Sequence, residues 1–170
     1  MYSVIRSFGL NGLNGFAVAV EADVSGGMPA LSIVGLPDSA VRESGDRVHA
    51  AARNLGFKWP DRRITVNLAP ADVRKTGPVY DLPLLLAVLS SAGQIEPPPE
   101  ETAFLGELAL DGSLRPVSGV LPMALTAAAS GVQALYVPAE TAAEAAEACG
   151  DTMLVYPCLL YTSPSPRDCS

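Results

Sequence analysis

The stretch from residue 63 to residue 89 constrains the fold more than any other part of the chain. It starts with β-branched and polar residues in alternation (63–68), crosses a short loop with proline and glycine, and ends in a solidly apolar run (82–89). The first pattern predicts a strand, and the last predicts a helix packed on a sheet. We expect the helix to bury three side chains against that strand: Leu84, Leu85 and Val88.

The other periodic segments alternate between the two kinds of element. Asp38 or Ser39 is predicted to cap the first helix, and Gly56 to end it. Strands that come early and helices that come later favour an α+β fold in two layers. The predicted strands are 16–24, 30–34, 134–137 and 153–156, with a hairpin over 104–117; the predicted helices are 37–55, 123–130 and 139–149.

Length and charge limit the possible functions. A chain of 170 residues with 49% hydrophobic and 17% charged content fits one globular domain. Its net charge of −7 has the wrong sign for a free-standing nucleic-acid binder. Residues 38–75 nevertheless hold eight of the eleven basic side chains against five acids. Such an uneven distribution suits docking against another subunit or domain, and it equally fits ordinary solvated surface.

No targeting or cysteine pattern stands out. The first residues lack the basic start and apolar core of a signal peptide, and no apolar run reaches the ~20 residues that span a bilayer. We therefore expect a cytoplasmic protein with no membrane partner. The three cysteines are too few and too irregularly spaced to predict a disulfide framework or a zinc site: Cys149, Cys158 and Cys169.

Two long runs resemble a known family. Residues 35–51 read GLPDSAVRESGDRVHAA, and residues 67–83 read NLAPADVRKTGPVYDLP. Both are similar to the N-terminal domain of the YifB/ComM family, the magnesium-chelatase-like AAA+ ATPases, and the similarity extends over about 3–156. It implies the ribosomal-protein-S5-domain-2-like fold that Lon-type peptidases share. The domain is expected to cover 1–157.

The resemblance also implies partners. In the family this domain precedes an ATPase module, and ComM members are ring-forming DNA branch-migration motors used in natural transformation. The expected partners are that module and neighbouring subunits of a homo-hexamer, with DNA as a further candidate. ATP and magnesium are expected only for the missing module, because neither Lys58 nor Lys75 stands in a Gly-x-x-x-x-Gly-Lys-Ser/Thr loop. No cofactor or metal is predicted for the chain itself.

The last residues depart from the family. The segment 158–170 has no helical or strand period. We expect it to be an unstructured, non-native tail on a chain truncated before its ATPase module. A native disordered linker is the alternative.

A peptidase is the main alternative from the enzyme class. Residues 63–89 and 104–119 resemble the Lon peptidase domain, which carries a Ser-Lys dyad. The resemblance places the dyad at Val79 and Met123. Neither side chain can act as nucleophile or base, which opposes a Lon-type serine peptidase. A metal-chelatase accessory subunit is a third hypothesis, with no cluster of His, Cys or carboxylates to support it.

The remaining candidate residues are charged. A stripe that contacts DNA or a neighbouring subunit is predicted from four basic residues, with solvated charge as the alternative: Arg62, Arg63, Arg74 and Lys75. Asp72 is expected to make a turn contact and Asp81 to cap the helix after it, rather than to act in acid-base chemistry. His49, the sole histidine, is expected to be a solvated helix residue on the polar face that also carries Arg42, Asp46 and Arg53. Glu43 and Arg47 are expected to form an exposed pair four residues apart.

Overall fold

A seven-stranded mixed sheet forms the centre of the molecule. The computed structural model describes residues 2–158. In this part of the chain the strands lie in the order β3-β4-β2-β1-β5-β8-β9, and β6 and β7 form a separate hairpin. The strands are β1 Tyr2–Asn11, β2 Asn14–Ser25, β3 Ala30–Val34, β4 Arg63–Ala69, β5 Thr102–Phe104, β6 Glu107–Leu108, β7 Leu114–Arg115, β8 Ala134–Pro138 and β9 Leu154–Cys158.

Five α-helices accompany the sheet in residues 2–158. They are α1 Ser39–Arg42, α2 Ser44–Asn54, α3 Asp81–Ser91, α4 Val120–Ala129 and α5 Ala142–Cys149. The four-residue α1 and the eleven-residue α2 stand before β4, and the apolar α3, also of eleven residues, follows it. None of these described helices is long and apolar enough to cross a membrane.

The strand β1 was not predicted. It pairs antiparallel with β2 along its whole length. Its inward face carries two serines, which obscure the apolar alternation that marks a strand. Both are buried and donate to backbone carbonyls, Ser3 to Ala87 at 2.6 Å and Ser7 to Phe104 at 2.8 Å. The polar residues are thus satisfied inside the core rather than exposed.

Helices lie on both faces of the sheet. Successive residues of a strand point to opposite faces. In β1, Ser3 donates to the carbonyl of Ala87 in α3, whereas Arg6 donates to the carbonyl of Ser130 at the end of α4. α3 and α4 therefore lie on opposite faces. The predicted α+β class is confirmed. The two expected layers become three where α4 covers the ends of β1 and β2, around Leu10 and Gly15.

This placement gives two connections of opposite hand. The connections β4–α3–β5 and β5–α4–β8 each join parallel strands and advance across the sheet in the same direction. Because their helices lie on opposite faces, one of the two must be left-handed. Such crossovers are right-handed in about 98% of cases. The topology is therefore an unusual one that depends on the burial of α3.

The burial predicted for α3 is confirmed. Leu84, Leu85 and Val88 have no exposed surface, and every residue of the helix is buried. The packing partner differs from the expected one, because α3 lies over β1 and β2 rather than over β4. The reason is the order of the strands, in which β1 and β2 occupy the middle of the sheet.

Two predicted element boundaries were wrong, and most of the predicted tail lies outside the described residues. The helix expected over 37–55 is interrupted at Glu43 and forms α1 and α2, while the predicted stop at Gly56 holds, with its φ of 90°. The hairpin expected from residue 104 starts later, because Phe104 is buried in β5 of the main sheet. Of the predicted tail, residues 159–170 lie outside the described part of the chain.

Candidate functional site

The two runs that carry the family resemblance pack against each other. Residues 35–38 and 75–77 meet beyond the ends of β3 and β4 and form a parallel bridge between Pro37 and Lys75. The amide of Asp38 donates to the carbonyl of Lys75, and the amide of Lys75 donates to the carbonyl of Leu36, each at 3.0 Å. The loop after β4 is thus fixed by the segment before α1.

The side chain of Asp38 ties the same two segments together. Its Oδ1 accepts from the amide of Val41 at 2.8 Å, which confirms the predicted cap of the first helix. Its Oδ2 accepts from the amide of Gly77 at 3.2 Å. One carboxylate therefore fixes both a helix start and the loop that leads to α3.

Lys75 is a buried residue. Its side chain has no exposed surface, and its Nζ donates to the carbonyl of Gly35 at 2.9 Å and to the carbonyl of Pro70. Burial lowers the pKa of Lys75, and the nearby charge of Asp72 counters that effect. The prediction of Lys75 as a contact for DNA or a subunit is therefore wrong. The ammonium group donates to two backbone carbonyls of this chain, those of Gly35 and Pro70, inside the fold.

Gly35 allows this close approach. Its φ is 102°, a backbone conformation that residues other than glycine rarely adopt. A Cβ at this position would lie 2.3 Å from the carbonyl oxygen of Leu68. The next residue, Leu36, also has a positive φ of 58°. These backbone angles direct the Gly35 carbonyl toward the Lys75 ammonium and the Leu36 carbonyl toward the Lys75 amide.

Asp81 forms a second buried polar cluster. Its carboxylate accepts from Arg47 Nε at 2.7 Å, from Ser44 Oγ at 2.5 Å and from the amide of Leu108 at 3.0 Å. The predicted helix cap is wrong, because Tyr80 occupies that position and makes no side-chain cap bond. Burial raises the pKa of Asp81, and these three donors oppose the rise. The hydrogen bond to Asp81 in turn raises the pKa of Arg47.

Arg47 thereby leaves the exposed face on which it was predicted. Its side chain is 20% exposed and lies 3.8 Å from Glu43, whose side chain is 70% exposed. An exposed pair at this distance contributes little. The short contact to the buried Asp81 is the stronger one. The Arg47–Asp81 pair joins α2 to the start of α3.

The implied dyad positions both lie in the core. Val79 belongs to the one-turn 3-10 helix Pro78–Tyr80 and is 7% exposed, while Met123 lies in α4 and is 1% exposed. Their side chains offer neither a nucleophile nor a base. Two apolar residues occupy the places where the resemblance puts the dyad.

Three of the four predicted contact residues are exposed. Arg62 and Arg63 stand at the start of β4, and Arg74 follows in the loop beyond its end. A seven-residue strand rises by about 20 Å. Arg62 and Arg63 are neighbours at one end of β4 with side chains that point to opposite faces, and Arg74 lies beyond the other end. The three arginines therefore follow β4 as a stripe and do not form a pocket.

A groove between β3 and α2 escaped the sequence analysis. It has a volume of about 870 Å³ and is lined by Arg42, by a partly exposed side of α2, by the edge of β3 and by residues 57–62. His49 is half-buried there and stacks on Trp59, with ring centroids 4.8 Å apart and an interplanar angle of 20°. His49 is thus partly exposed, in agreement with the prediction, but one face of its ring packs on Trp59, which was not predicted. The pairing had no signal in the sequence, because the two rings lie on different elements.

Residues 2–158 include no group of three or more His, Cys, Asp or Glu side chains placed to hold a metal ion. The charged residues that the fold buries are instead paired with groups of the protein, as the Lys75 and Asp81 clusters illustrate.

A family model and several curated relatives match this chain. Residues 20–141 match the family described as subunit ChlI of Mg-chelatase. An uncharacterised protein of Mycobacterium tuberculosis is 50% identical over 82% of this chain, YifB of Escherichia coli 42% over 76%, and the competence protein ComM of Haemophilus influenzae 40% over 84%. The chain spans only 26–28% of the length of these relatives.

A Lon protease also matches. The enzyme of Mycolicibacterium smegmatis is 26% identical over 79% of this chain, which covers 18% of that enzyme. This more distant similarity agrees with the predicted Lon-like α+β fold.

Proposed function

The chain belongs to the family of Mg-chelatase ChlI subunits that includes YifB and ComM, and from this we propose that it is a non-catalytic domain of a ring-forming AAA+ ATPase. In this proposal it shapes or stabilises the ring in the cytoplasm and guides DNA along it. ATP and Mg²⁺ bind the ATPase module and not this domain. The relative named competence protein ComM supports a role in competence.

The observation that carries the proposal is the placement of the exposed arginines. Arg62 and Arg63 lie at the start of β4, a strand about 20 Å long, and Arg74 lies in the loop beyond its other end. A stripe of this length suits a long anionic surface, either a nucleic-acid backbone or the acidic face of a neighbouring subunit. The interlocked segments around Lys75 and Asp38 hold the Arg74 end in place.

The peptidase alternative is weaker. The relatives at 40–50% identity are not proteases by name, and the Lon protease is more distant at 26%. The buried, apolar Val79 and Met123 at the implied dyad positions also argue against a peptidase. Peptide hydrolysis by a Ser-Lys dyad needs a nucleophilic side chain, and neither Val79 nor Met123 has one.

The test uses a chimera in which this domain replaces the matching segment of ComM from Haemophilus influenzae. The three exposed arginines are reversed together (R62E, R63E and R74E), and Arg115→Glu, also exposed but on β7, serves as the control. Ring assembly is measured by sedimentation velocity and DNA binding by fluorescence anisotropy, each at two salt concentrations.

The two measurements separate the roles. A loss of DNA affinity with intact rings, and a shallower salt dependence, supports DNA guidance. A loss of rings supports a subunit interface. If the triple variant and the Arg115→Glu control behave alike in both assays, the arginine stripe has no part in either role and the proposal fails.

A further inference from the structure

The groove beside β3 is bounded by an open sheet edge. Within the described sheet, β3 is the edge strand and pairs only with β4. The amide of Ala30 donates to the carbonyl of Arg62, so the backbone groups of Ala30 and of every second residue after it face β4. The N–H and C=O groups of Leu31 and Ile33 therefore point outward. Both residues line the groove.

The opposite wall of the groove is formed by α2, and the apolar floor is formed by Leu31, Ile33, Phe57 and Trp59. α2 lies alongside β3 so closely that a Cβ on Gly45 would meet the Leu31 side chain at 2.7 Å. Phe57 and Trp59 close one end, and both are partly buried against the core. A groove between an edge strand and a helix is the geometry in which an extended peptide adds to a sheet. Alternate side chains of such a peptide would enter the apolar floor.

The rim of the groove is basic. Four cations line it against two acids, although the whole chain carries a net charge of −7. All six of these side chains are exposed. The rim therefore favours an anionic occupant. The cations are Arg42, Arg53, Lys58 and Arg62, and the acids are Asp46 and Asp61.

We propose that this groove binds an extended acidic segment of a partner protein, which pairs with the outer edge of β3 and places its apolar residues against Phe57 and Trp59. The outward amides and carbonyls of Leu31 and Ile33 supply the main-chain hydrogen bonds. The basic rim selects glutamate and aspartate at the alternate, solvent-facing positions. This binding site differs from the arginine stripe: Arg62 belongs to both, whereas Arg63 and Arg74 do not line the groove.

A peptide fits the groove better than its two main rivals. A nucleic-acid strand would use the basic rim but would leave the open strand edge and the apolar floor unused. A second copy could offer its other edge strand, β9, to the open edge of β3, but that strand (LVYPC) carries no acidic residue and would leave the basic rim without a charge complement.

Trp59 is the sole tryptophan of the chain, so its fluorescence reports directly on the groove. The 170-residue chain is titrated with a capped peptide of about seven residues that alternates glutamate and valine, long enough to pass both ends of β3. The matched probes are a lysine–valine peptide, the glutamate–valine peptide with N-methyl groups on alternate amides, and single-stranded oligothymidylate. Sedimentation velocity on the same samples reports self-association.

We expect the glutamate–valine peptide to change the fluorescence saturably, with half-saturation at about 100 µM or below. The lysine–valine and N-methylated peptides should bind at least about tenfold more weakly, because one loses the charge complement and the other the ladder donors. The double variant R53E/R62E should lose about tenfold in affinity, and the matched variant R74E/R115E, outside the groove, less than about twofold.

Three results would overturn the proposal. Equal binding of the N-methylated peptide would show that the β3 edge is not used. Binding of oligothymidylate without binding of the peptide would assign the groove to nucleic acid. A fluorescence change that follows protein concentration rather than peptide concentration would assign it to a second copy of the chain.

Discussion

Arg47 in α2 and Asp81 at the first position of α3 form an ion pair with Nε and Oδ2 2.7 Å apart, and the Asp81 side chain has no exposed surface. A second contact, between an Arg47 Nη and Asp81 Oδ1 at 3.1 Å, makes the pair bidentate. The helix that borders the groove is thus fixed to the helix that fills the core. The Arg47–Asp81 pair therefore connects a wall of the groove to the core.

Replacing Arg47 by methionine should destabilise the chain by about 3 kcal/mol near neutral pH, because the buried Asp81 carboxylate loses its charged partner. Urea denaturation followed by circular dichroism measures the effect. Arg53→Met, on the exposed face of the same helix, is the control and should cost less than about 0.5 kcal/mol. Equal losses for the two variants would contradict the importance assigned to the pair.

The cost of Arg47→Met should depend on pH. Burial raises the pKa of Asp81, and loss of the arginine removes an interaction that opposes that rise. A carboxyl whose pKa is higher in the folded state stabilises the fold below its unfolded pKa of about 3.9 and loses that contribution as pH rises through the folded value. The difference between wild type and variant should therefore be small near that lower pKa and grow toward neutrality. A pH-independent difference would refute this account.

Chemical labelling should distinguish the two lysines of the chain. Lys75 has no exposed surface and donates to two carbonyls, whereas Lys58 is exposed. Acetylation of the folded protein, analysed by peptide mass spectrometry, should modify Lys58 rapidly and Lys75 only after unfolding in urea. Similar rates in the folded protein would show that the Lys75 ammonium is not buried.

Gly35→Ala should be far more destabilising than Gly12→Ala. Both glycines have positive φ angles, 102° and 67°, so both substitutions carry a backbone cost of about 1–2 kcal/mol. Only at Gly35 does the new Cβ meet a backbone atom, the Leu68 oxygen at 2.3 Å, while nothing lies within 4 Å at Gly12. Thermal unfolding measures the difference. A Gly35→Ala variant as stable as Gly12→Ala would contradict the close approach.

Leu85→Ala should cost about 2–5 kcal/mol, because Leu85 is fully buried in the middle of α3. Leu125→Ala removes the same atoms from a side chain that is 51% exposed on α4. The control should therefore cost much less. Denaturant midpoints of the two variants test this ranking, and a reversal would place α3 outside the core.

The sequence predicted what depends on local periodicity. The apolar run of α3, the cap at Asp38 and the stop at Gly56 follow from patterns within a few residues, and the structure confirms them. The strand β1 escaped because Ser3 and Ser7 stand where apolar residues would normally mark a buried face. Their partners lie in distant parts of the chain, which no local pattern reveals.

The candidate site was harder to predict for the same physical reason. The exposure of Arg62, Arg63 and Arg74 follows from charge alone. The burial of Lys75 depends on carbonyls that two separate segments bring together, and that of Asp81 on a partner 34 positions earlier. A charged residue within or beside an apolar run is the one available signal, since it can be buried only if it is paired.

The proposed ring function is tested most directly by the mass of the assembled particle. The ComM chimera that carries this domain is compared with the same protein from which the domain has been deleted, by sedimentation velocity with ATP present and over a range of concentrations. The account predicts that the chimera forms rings at concentrations where the deleted protein does not. Identical assembly of the two proteins at every concentration would contradict it.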